Sequence, residues 1–107
     1  MIVLVNDNVD KVLQYLEDNY KREEKVYMHI VESADSIETP EGIGFGVFDV
    51  EHQQIYVAAD IEEAEINVPM SIAHEYKHFL QWCEGKPFDD VEAEEFAQMV
   101  VREIELV

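Results

Sequence analysis

Basic residues are scarce in this chain. Of its 107 residues only 7 are Lys or Arg, against 25 Asp or Glu, which gives a formal net charge of −18. No Lys or Arg lies between Lys25 and Lys77. Such a surface repels phosphate backbones and anionic membranes, and it attracts cations and basic proteins. We therefore expect a basic protein as substrate or partner and no direct nucleic-acid or membrane binding. Two other interpretations stay open: charge that only keeps the protein in solution, and imitation of nucleic acid.

Cysteine and long apolar runs are also lacking. The single Cys83 cannot form an internal disulfide, which fits a reducing compartment. No apolar run approaches the ~18 residues needed to cross a bilayer. The opening residues, 1–5, are apolar but lack the basic lead and cleavage site of a signal peptide. We expect one cytoplasmic domain spanning residues 1–107, long enough for one modest core.

Hydrophobic periodicity predicts an α+β domain. Apolar residues recur at helical spacing in three segments, and three shorter segments are apolar or alternate in the manner of strands. The last two strands are separated by a turn candidate, so they should form a hairpin. We expect an N-terminal helix, a small and mostly antiparallel three-stranded sheet, and two C-terminal helices. The predicted helices cover residues 9–20, 69–85 and 89–107, the second ending at Gly85, and the predicted strands cover 26–31, 43–48 and 55–58.

The most informative motif is His74-Glu75-Tyr76-Lys77-His78, which has the form H-E-x-x-H. In a helix, His74 and His78 lie on one face, where both imidazoles can reach one metal ion. In such sites the Glu after the first His, here Glu75, activates a zinc-bound water as general base. Chance would produce the motif roughly 0.02 times in a chain of this length and composition. Two solvated surface histidines are the alternative, but the apolar stripe beside them favours a packed helix.

A catalytic zinc site needs a third protein ligand and one open position. Cys83 and the other two histidines are poor candidates, which leaves the acids of the final helix. At ~100° per residue, Asp89 and Asp90 each point about 50° from the centre of that helix's apolar face. Glu94 points about 90° away and Glu92 about 110°. The helical geometry therefore favours Asp90 or Asp89, with Glu92 and Glu94 as flanking positions.

Residues 72–78 and 90–97 together resemble the ImmA/IrrE type of metallopeptidase domain, a zincin, in a minimal version. That family carries H-E-x-x-H on one helix and E-x-x-A-[ND]-x-F-A on the next, where this chain reads Asp-Val-Glu-Ala-Glu-Glu-Phe-Ala. The resemblance covers about the last half of the chain. It implies His74, His78 and Asp90 as zinc ligands and Glu75 as the base, with Glu92 as second choice for the third ligand. Glu94 stands where the family has the Asn or Asp that orients a ligand histidine.

The resemblance also implies an activity, the zinc-dependent hydrolysis of peptide bonds in a specific protein. Relatives of this type cleave or inactivate helix-turn-helix repressors, so a DNA-binding repressor is the implied substrate. In the resembling folds the strand before the active helix pairs with extended substrate, here residues 55–58. Tyr76 and Lys77 are candidates for stabilising an oxyanion, or they are packing residues. The competing hypothesis is a non-enzymatic acidic module on the same scaffold that sequesters a basic partner.

Overall fold

The α+β class is confirmed by the computed structural model, which describes residues 2–3, 10–31, 37–39, 42–44, 46–58 and 68–105. Side chains are described within 11–30, 46–58 and 68–105. The described helices are α1 (Asp10–Tyr20), α2 (Val68–Cys83) and α3 (Asp90–Glu105). The described strands are β1 (Ile2–Val3), β2 (Tyr27–Val31), β3 (Ile37–Thr39), β4 (Gly42–Gly44), β5 (Gly46–Asp49) and β6 (Gln54–Ala58). Residues 9, 106 and 107, at the ends of predicted helices, lie outside the described residues.

The main sheet is mixed, and the expectation of a mostly antiparallel sheet was wrong. Its strand order is β1-β2-β6-β5. The predicted hairpin is present, since β5 and β6 pair antiparallel. Strand β2, however, pairs parallel with β6, and the two-residue β1 pairs parallel with β2. A tight turn sets the direction of β5 against β6, whereas the long connection from β2 to β6 leaves their relative direction to tertiary packing.

The strand predicted over 43–48 is divided between two sheets. Its first part belongs to β4, which pairs antiparallel with β3 in a separate two-stranded sheet. Its second part is β5, which begins at Gly46 and joins the main sheet. Glycine weakens a strand and allows it to bend sharply, so the glycines at 44 and 46 are reasonable places for this change of partner. Phe45, which lies between them, is outside the described residues.

The core lies between one face of the main sheet and the three helices. Alternate residues of the strands point into it, as the two-residue period of a strand requires. Helices α2 and α3 pack side by side, and α1 contacts both. None of the described helices has the length and apolar character needed to span a bilayer. The largest fully buried apolar side chains are Val12, Leu16, Val26, Met28, Ile55, Val57, Ile72, Tyr76, Phe79 and Val100.

Helix α2 begins and ends where local sequence signals place it. Pro69 lies in the first turn, where a missing N–H breaks no helical hydrogen bond. At the other end Gly85 has a φ of 70°. Its N–H donates to the Trp82 carbonyl at 3.0 Å, and the Lys86 N–H donates to the Gln81 carbonyl at 2.9 Å. These two bonds form a Schellman motif, which turns the chain toward α3.

We expect the Gly85→Ala substitution to lower the free energy of unfolding by about 1 kcal/mol, because a side chain disfavours a positive φ. An added Cβ would meet no atom within 4 Å, so the effect should come from the backbone alone. Urea unfolding followed by circular dichroism measures it. The control is Gly85→Asn, which should lose less because Asn tolerates this conformation. Equal stability of the Ala variant and the wild type would contradict the role given to Gly85.

Candidate metal centre

Helix α2 places His74 and His78 one turn apart on the side that meets α3. The ring centroids are 5.0 Å apart, and the ring planes are inclined at 78°. His78 is buried and His74 is half-buried. The helix predicted around the motif therefore exists, and it presents both imidazoles together at its contact with the last helix.

Asp90, the first residue of α3, lies against both imidazoles. Its Oδ1 is 3.0 Å from Nε2 of His78 and 3.4 Å from Nε2 of His74. One ligand atom from each of the three residues lies within 4.8 Å of the others. The Asp90 side chain is 82% exposed, so the group opens toward solvent on the side of the carboxylate.

The distances from Asp90 to the two imidazoles match those around a single metal ion. In a four-coordinate zinc site with bonds of about 2.0–2.1 Å, neighbouring ligand atoms lie roughly 3.3 Å apart. The two distances to Asp90 Oδ1, 3.0 and 3.4 Å, bracket that value. Two imidazole nitrogens and one carboxylate oxygen also match the ligand types of catalytic zinc sites. The three residues therefore fit a divalent metal ion.

The second nitrogen of each imidazole has an acceptor of its own. Nδ1 of His74 is 3.3 Å from Oε2 of Glu94, and Nδ1 of His78 is 2.9 Å from the amide Oε1 of Gln81. With a proton on Nδ1, a neutral imidazole carries its lone pair on Nε2. Both Nε2 atoms face Asp90, so three acceptor atoms converge on one point. Such an arrangement needs a cation, either a metal ion or an added proton on an imidazole.

The other acids proposed as third ligand have different roles. Oδ1 of Asp89 accepts hydrogen bonds from the N–H groups of Val91 and Glu92, at 3.0 and 3.1 Å, so Asp89 is the N-cap of α3. Oε1 of Glu92 accepts from Nε2 of Gln81 at 3.1 Å and lies 3.5 Å from Nζ of Lys77. Oε2 of Glu94 contacts Nδ1 of His74, the ring nitrogen that does not face Asp90. Of the four acids weighed from the sequence, Asp90 alone belongs to the cluster.

Glu75 lies against β5 of the sheet. It is 7% exposed. A Cβ added to Gly46 on β5 would lie 2.9 Å from Cγ of Glu75 and 3.2 Å from the Tyr56 carbonyl oxygen. Any side chain at position 46 would therefore displace the glutamate. The closest approach at this strand glycine is therefore by the Glu75 side chain, followed by the Tyr56 backbone.

Tyr76 and Lys77 have packing roles instead of facing a substrate. The buried Tyr76 donates its hydroxyl hydrogen to the Tyr20 carbonyl at 2.9 Å, and burial raises the pKa of that hydroxyl. Nζ of Lys77 lies 5.2 Å from the centroid of the Phe96 ring and also near Glu92. Their side chains stabilise the contacts of α2 with α1 and α3.

Strand β6 does not offer an edge to a substrate, contrary to the sequence-based expectation for residues 55–58. It lies between β2 and β5, and both neighbours use its backbone groups. In the described part of the sheet, β5 is the outer strand next to β6. It is also the strand that contacts Glu75 through Gly46. The edge nearest the H-E-x-x-H motif is therefore that of β5.

The remaining histidines lie elsewhere, as the sequence predicted. The His29 ring stacks on Tyr56, with centroids 4.7 Å apart and planes inclined at 12°. Nδ1 of His52 is 2.8 Å from Oδ2 of Asp49, and this contact raises the pKa of His52. Among the described residues, neither joins a group of potential metal ligands.

Sequence reasoning missed two neighbours of the site. Gln81 is 1% exposed and hydrogen-bonded to His78; a polar residue three positions after a motif histidine, within an apolar stripe, was the available signal. Phe88 is 52% exposed, and its ring lies 5.3 Å from that of His78 and 6.1 Å from that of Phe48. Nothing in the local pattern pointed to Phe88, because only the turn after α2 brings it beside the histidine.

Comparison of the chain with protein-family models, with curated proteins and with solved structures finds no match in any of the three.

Cys83 should react slowly with alkylating reagents. Burial, followed by the contact with Glu24, raises the pKa of its thiol to about 11 from 9.0. Because the thiolate is the reactive form, a pKa of about 11 instead of 9.0 lowers the thiolate population at pH 8 by roughly 100-fold. The rate of alkylation by iodoacetamide at pH 8, relative to an unfolded cysteine peptide, measures this. Reaction at the peptide's rate would show that the thiol is neither shielded nor inert.

Proposed function

We propose that this protein is a zinc-dependent metallopeptidase of the ImmA/IrrE kind, in a minimal form. The observation that carries the proposal is the convergence of three acceptor atoms, from His74, His78 and Asp90, within 4.8 Å. The Nδ1 atoms of the two rings are paired with Glu94 and Gln81, which leaves the lone pairs of the two Nε2 atoms for a cation. Two histidines and a carboxylate favour zinc over the harder ions, which prefer oxygen ligands throughout.

Three protein ligands leave one position of a tetrahedral ion open for chemistry. Zinc, when bound there, supplies Lewis acidity that activates water and polarises a carbonyl group. Glu75 is the proposed general base: its carboxylate accepts a proton from the attacking water and delivers it to the leaving amine. The buried position of Glu75 beside Gly46 restricts the carboxylate's freedom and excludes bulk water from one side of it.

The edge of β5 is the proposed binding site for an extended peptide. Strand addition to an exposed edge supplies main-chain hydrogen bonds and holds the peptide extended alongside the strand. Strand β5 contacts Glu75 at Gly46, so a peptide on that edge would pass beside the proposed base. The exposed ring of Phe88, next to His78, provides an apolar surface for a substrate side chain.

The proposed substrate is a basic protein, and a helix-turn-helix repressor fits this description. The argument is electrostatic: a net charge of −18 attracts positively charged partners and accelerates their encounter at low salt. A DNA-binding protein presents the basic surface that such a field would attract.

The purified protein should bind close to one zinc ion per chain. We expect His74→Ala and Asp90→Asn to weaken zinc binding by more than about 10-fold, because each removes a ligand. Elemental analysis after dialysis and competition with a chromophoric chelator measure stoichiometry and affinity.

Glu92→Gln is the matched control for Asp90→Asn. It removes the same charge two residues away, on a carboxylate bonded to Gln81 and Lys77, so zinc affinity should change by less than about 3-fold. A larger loss in Glu92→Gln than in Asp90→Asn would make Glu92 the ligand. A wild-type protein that binds no zinc, yet binds basic proteins with strong salt dependence, would support the acidic binding module instead.

Glu75→Gln should retain zinc and lose peptide hydrolysis by about 10²–10⁴-fold, because it removes the proton acceptor and keeps the side chain's shape. The assay is cleavage of a randomised, internally quenched peptide library by the zinc-loaded protein, with cleavage sites identified by mass spectrometry. Gly46→Ala should also reduce cleavage while zinc is retained, because the new Cβ crowds Glu75.

The control for Gly46→Ala is Val47→Ala, another small apolar change, at the next position of β5. Val47 pairs with Tyr56, while Gly46 pairs with Val57, so the two side chains leave opposite faces of the sheet. Cleavage that survives both Glu75→Gln and removal of zinc by a chelator would refute the proposed mechanism.

A further inference from the structure

We propose that Gln81 is a positioning residue that fixes the orientation of two metal ligands at once, His78 on α2 and Asp90 on α3. The inference rests on the metal site proposed above and extends it to a residue outside the H-E-x-x-H motif. Gln81 is 1% exposed and lies one helical turn after His78. A buried amide costs free energy unless its polar atoms are hydrogen-bonded, so its partners indicate what it stabilises.

The Gln81 side chain makes four hydrogen bonds. Its Oε1 is 2.9 Å from Nδ1 of His78 and accepts from the Asp89 N–H at 3.2 Å. Its Nε2 donates to the Asp89 carbonyl at 3.2 Å and to Oε1 of Glu92 at 3.1 Å. Both atoms of the amide are therefore satisfied, and the side chain is held in one orientation.

The backbone of Asp89 determines the positions of the oxygen and the nitrogen in the Gln81 amide. A backbone N–H can only donate and a backbone carbonyl can only accept, so the Gln81 oxygen must face the N–H and the nitrogen must face the carbonyl. Reversing the amide would place two donors together and two acceptors together. The amide oxygen is therefore the atom that meets the His78 ring.

This orientation determines the tautomer of His78. Because Oε1 of Gln81 is an acceptor, its 2.9 Å contact with His78 is a hydrogen bond only when Nδ1 carries a proton. In the neutral ring the lone pair then lies on Nε2, 3.0 Å from Oδ1 of Asp90, where a metal ion needs it. The opposite tautomer would place a hydrogen at the metal position and leave two acceptors together at Gln81.

The same amide holds the residue before Asp90. By pairing with both backbone groups of Asp89, it fixes the N-cap of α3 against the last turn of α2. The Gln81 backbone carbonyl also accepts the Schellman hydrogen bond of Lys86. One buried residue thus links the imidazole of one helix to the carboxylate at the start of the next, and either ligand would lose its position without it.

Gln81→Met tests this inference, because methionine fills a similar volume but offers His78 only a weak thioether acceptor and gives the Asp89 carbonyl no donor. We expect zinc affinity, measured by chelator competition, to fall about 10–100-fold, the usual effect of losing a partner of a ligand histidine. Gln14→Met is the matched control. Gln14 is exposed on α1 and bonds only to Asp18 among the contacts described, so its replacement should leave zinc affinity unchanged.

The ¹⁵N spectrum of the metal-free Asp90→Ala variant, which has no carboxylate facing Nε2 to compete for the proton, reads the tautomer of His78 that Gln81 favours. In this background we expect the Nδ1–H form of His78 with Gln81, its loss with Gln81→Met, and its return with Gln81→Glu, which restores an acceptor. His74, which contacts Glu94 instead, should not change in any of these variants.

An Nε2–H tautomer of His78 in the Asp90→Ala variant with Gln81 intact would overturn the inference. So would wild-type zinc affinity in a folded Gln81→Met protein. A wild type that binds no zinc, together with the Nδ1–H form in Asp90→Ala, would refute the proposed function separately, while the role of Gln81 in orienting the ring would stand.

Discussion

The contact between the last turns of α2 and the first turn of α3 is the constraint on which the site depends. His74 and His78 share one helix, so their separation is fixed by helical geometry alone. Asp90 comes from the next helix, and its Oδ1 lies within 3.4 Å of both rings only because the turn at Gly85 brings α3 back. The amide of Gln81 then closes this contact by hydrogen bonds to Asp89.

Negative charge accumulates at this contact, as the proposed metal site requires. The first turns of α3 carry Asp89, Asp90, Glu92 and Glu94, and the partial positive charge of the helix N-terminus stabilises them only in part. Lys77 balances Glu92 across the helix pair. Asp90 faces two neutral imidazole lone pairs when both Nδ1 atoms are protonated, so a metal ion would satisfy all three groups. The same excess of acid, spread over the chain, gives the long-range field that would attract a basic substrate.

The sheet contributes an edge and a gap to the proposed active site. Strand β6, expected from the sequence to bind substrate, is instead enclosed between β2 and β5. The direction of β2 and the division of the 43–48 segment between two sheets follow from long-range pairing, which local periodicity does not report. Gly46 leaves the space that Glu75 occupies, so a residue of the sheet determines where the proposed base can lie.

The helices and turns could be predicted from the sequence because they depend on residues that are close together in the chain. The H-E-x-x-H spacing, the apolar stripe of α2, the glycine after it and the turn before β6 all act over a few residues, and each led to the observed element. Helical angles left Asp89 and Asp90 equivalent, and only the fold separated them, by using Asp89 as a cap. The partners of Gln81 and Phe88 were also decided by tertiary structure, since contacts between helices depend on how the whole core packs and not on residue spacing.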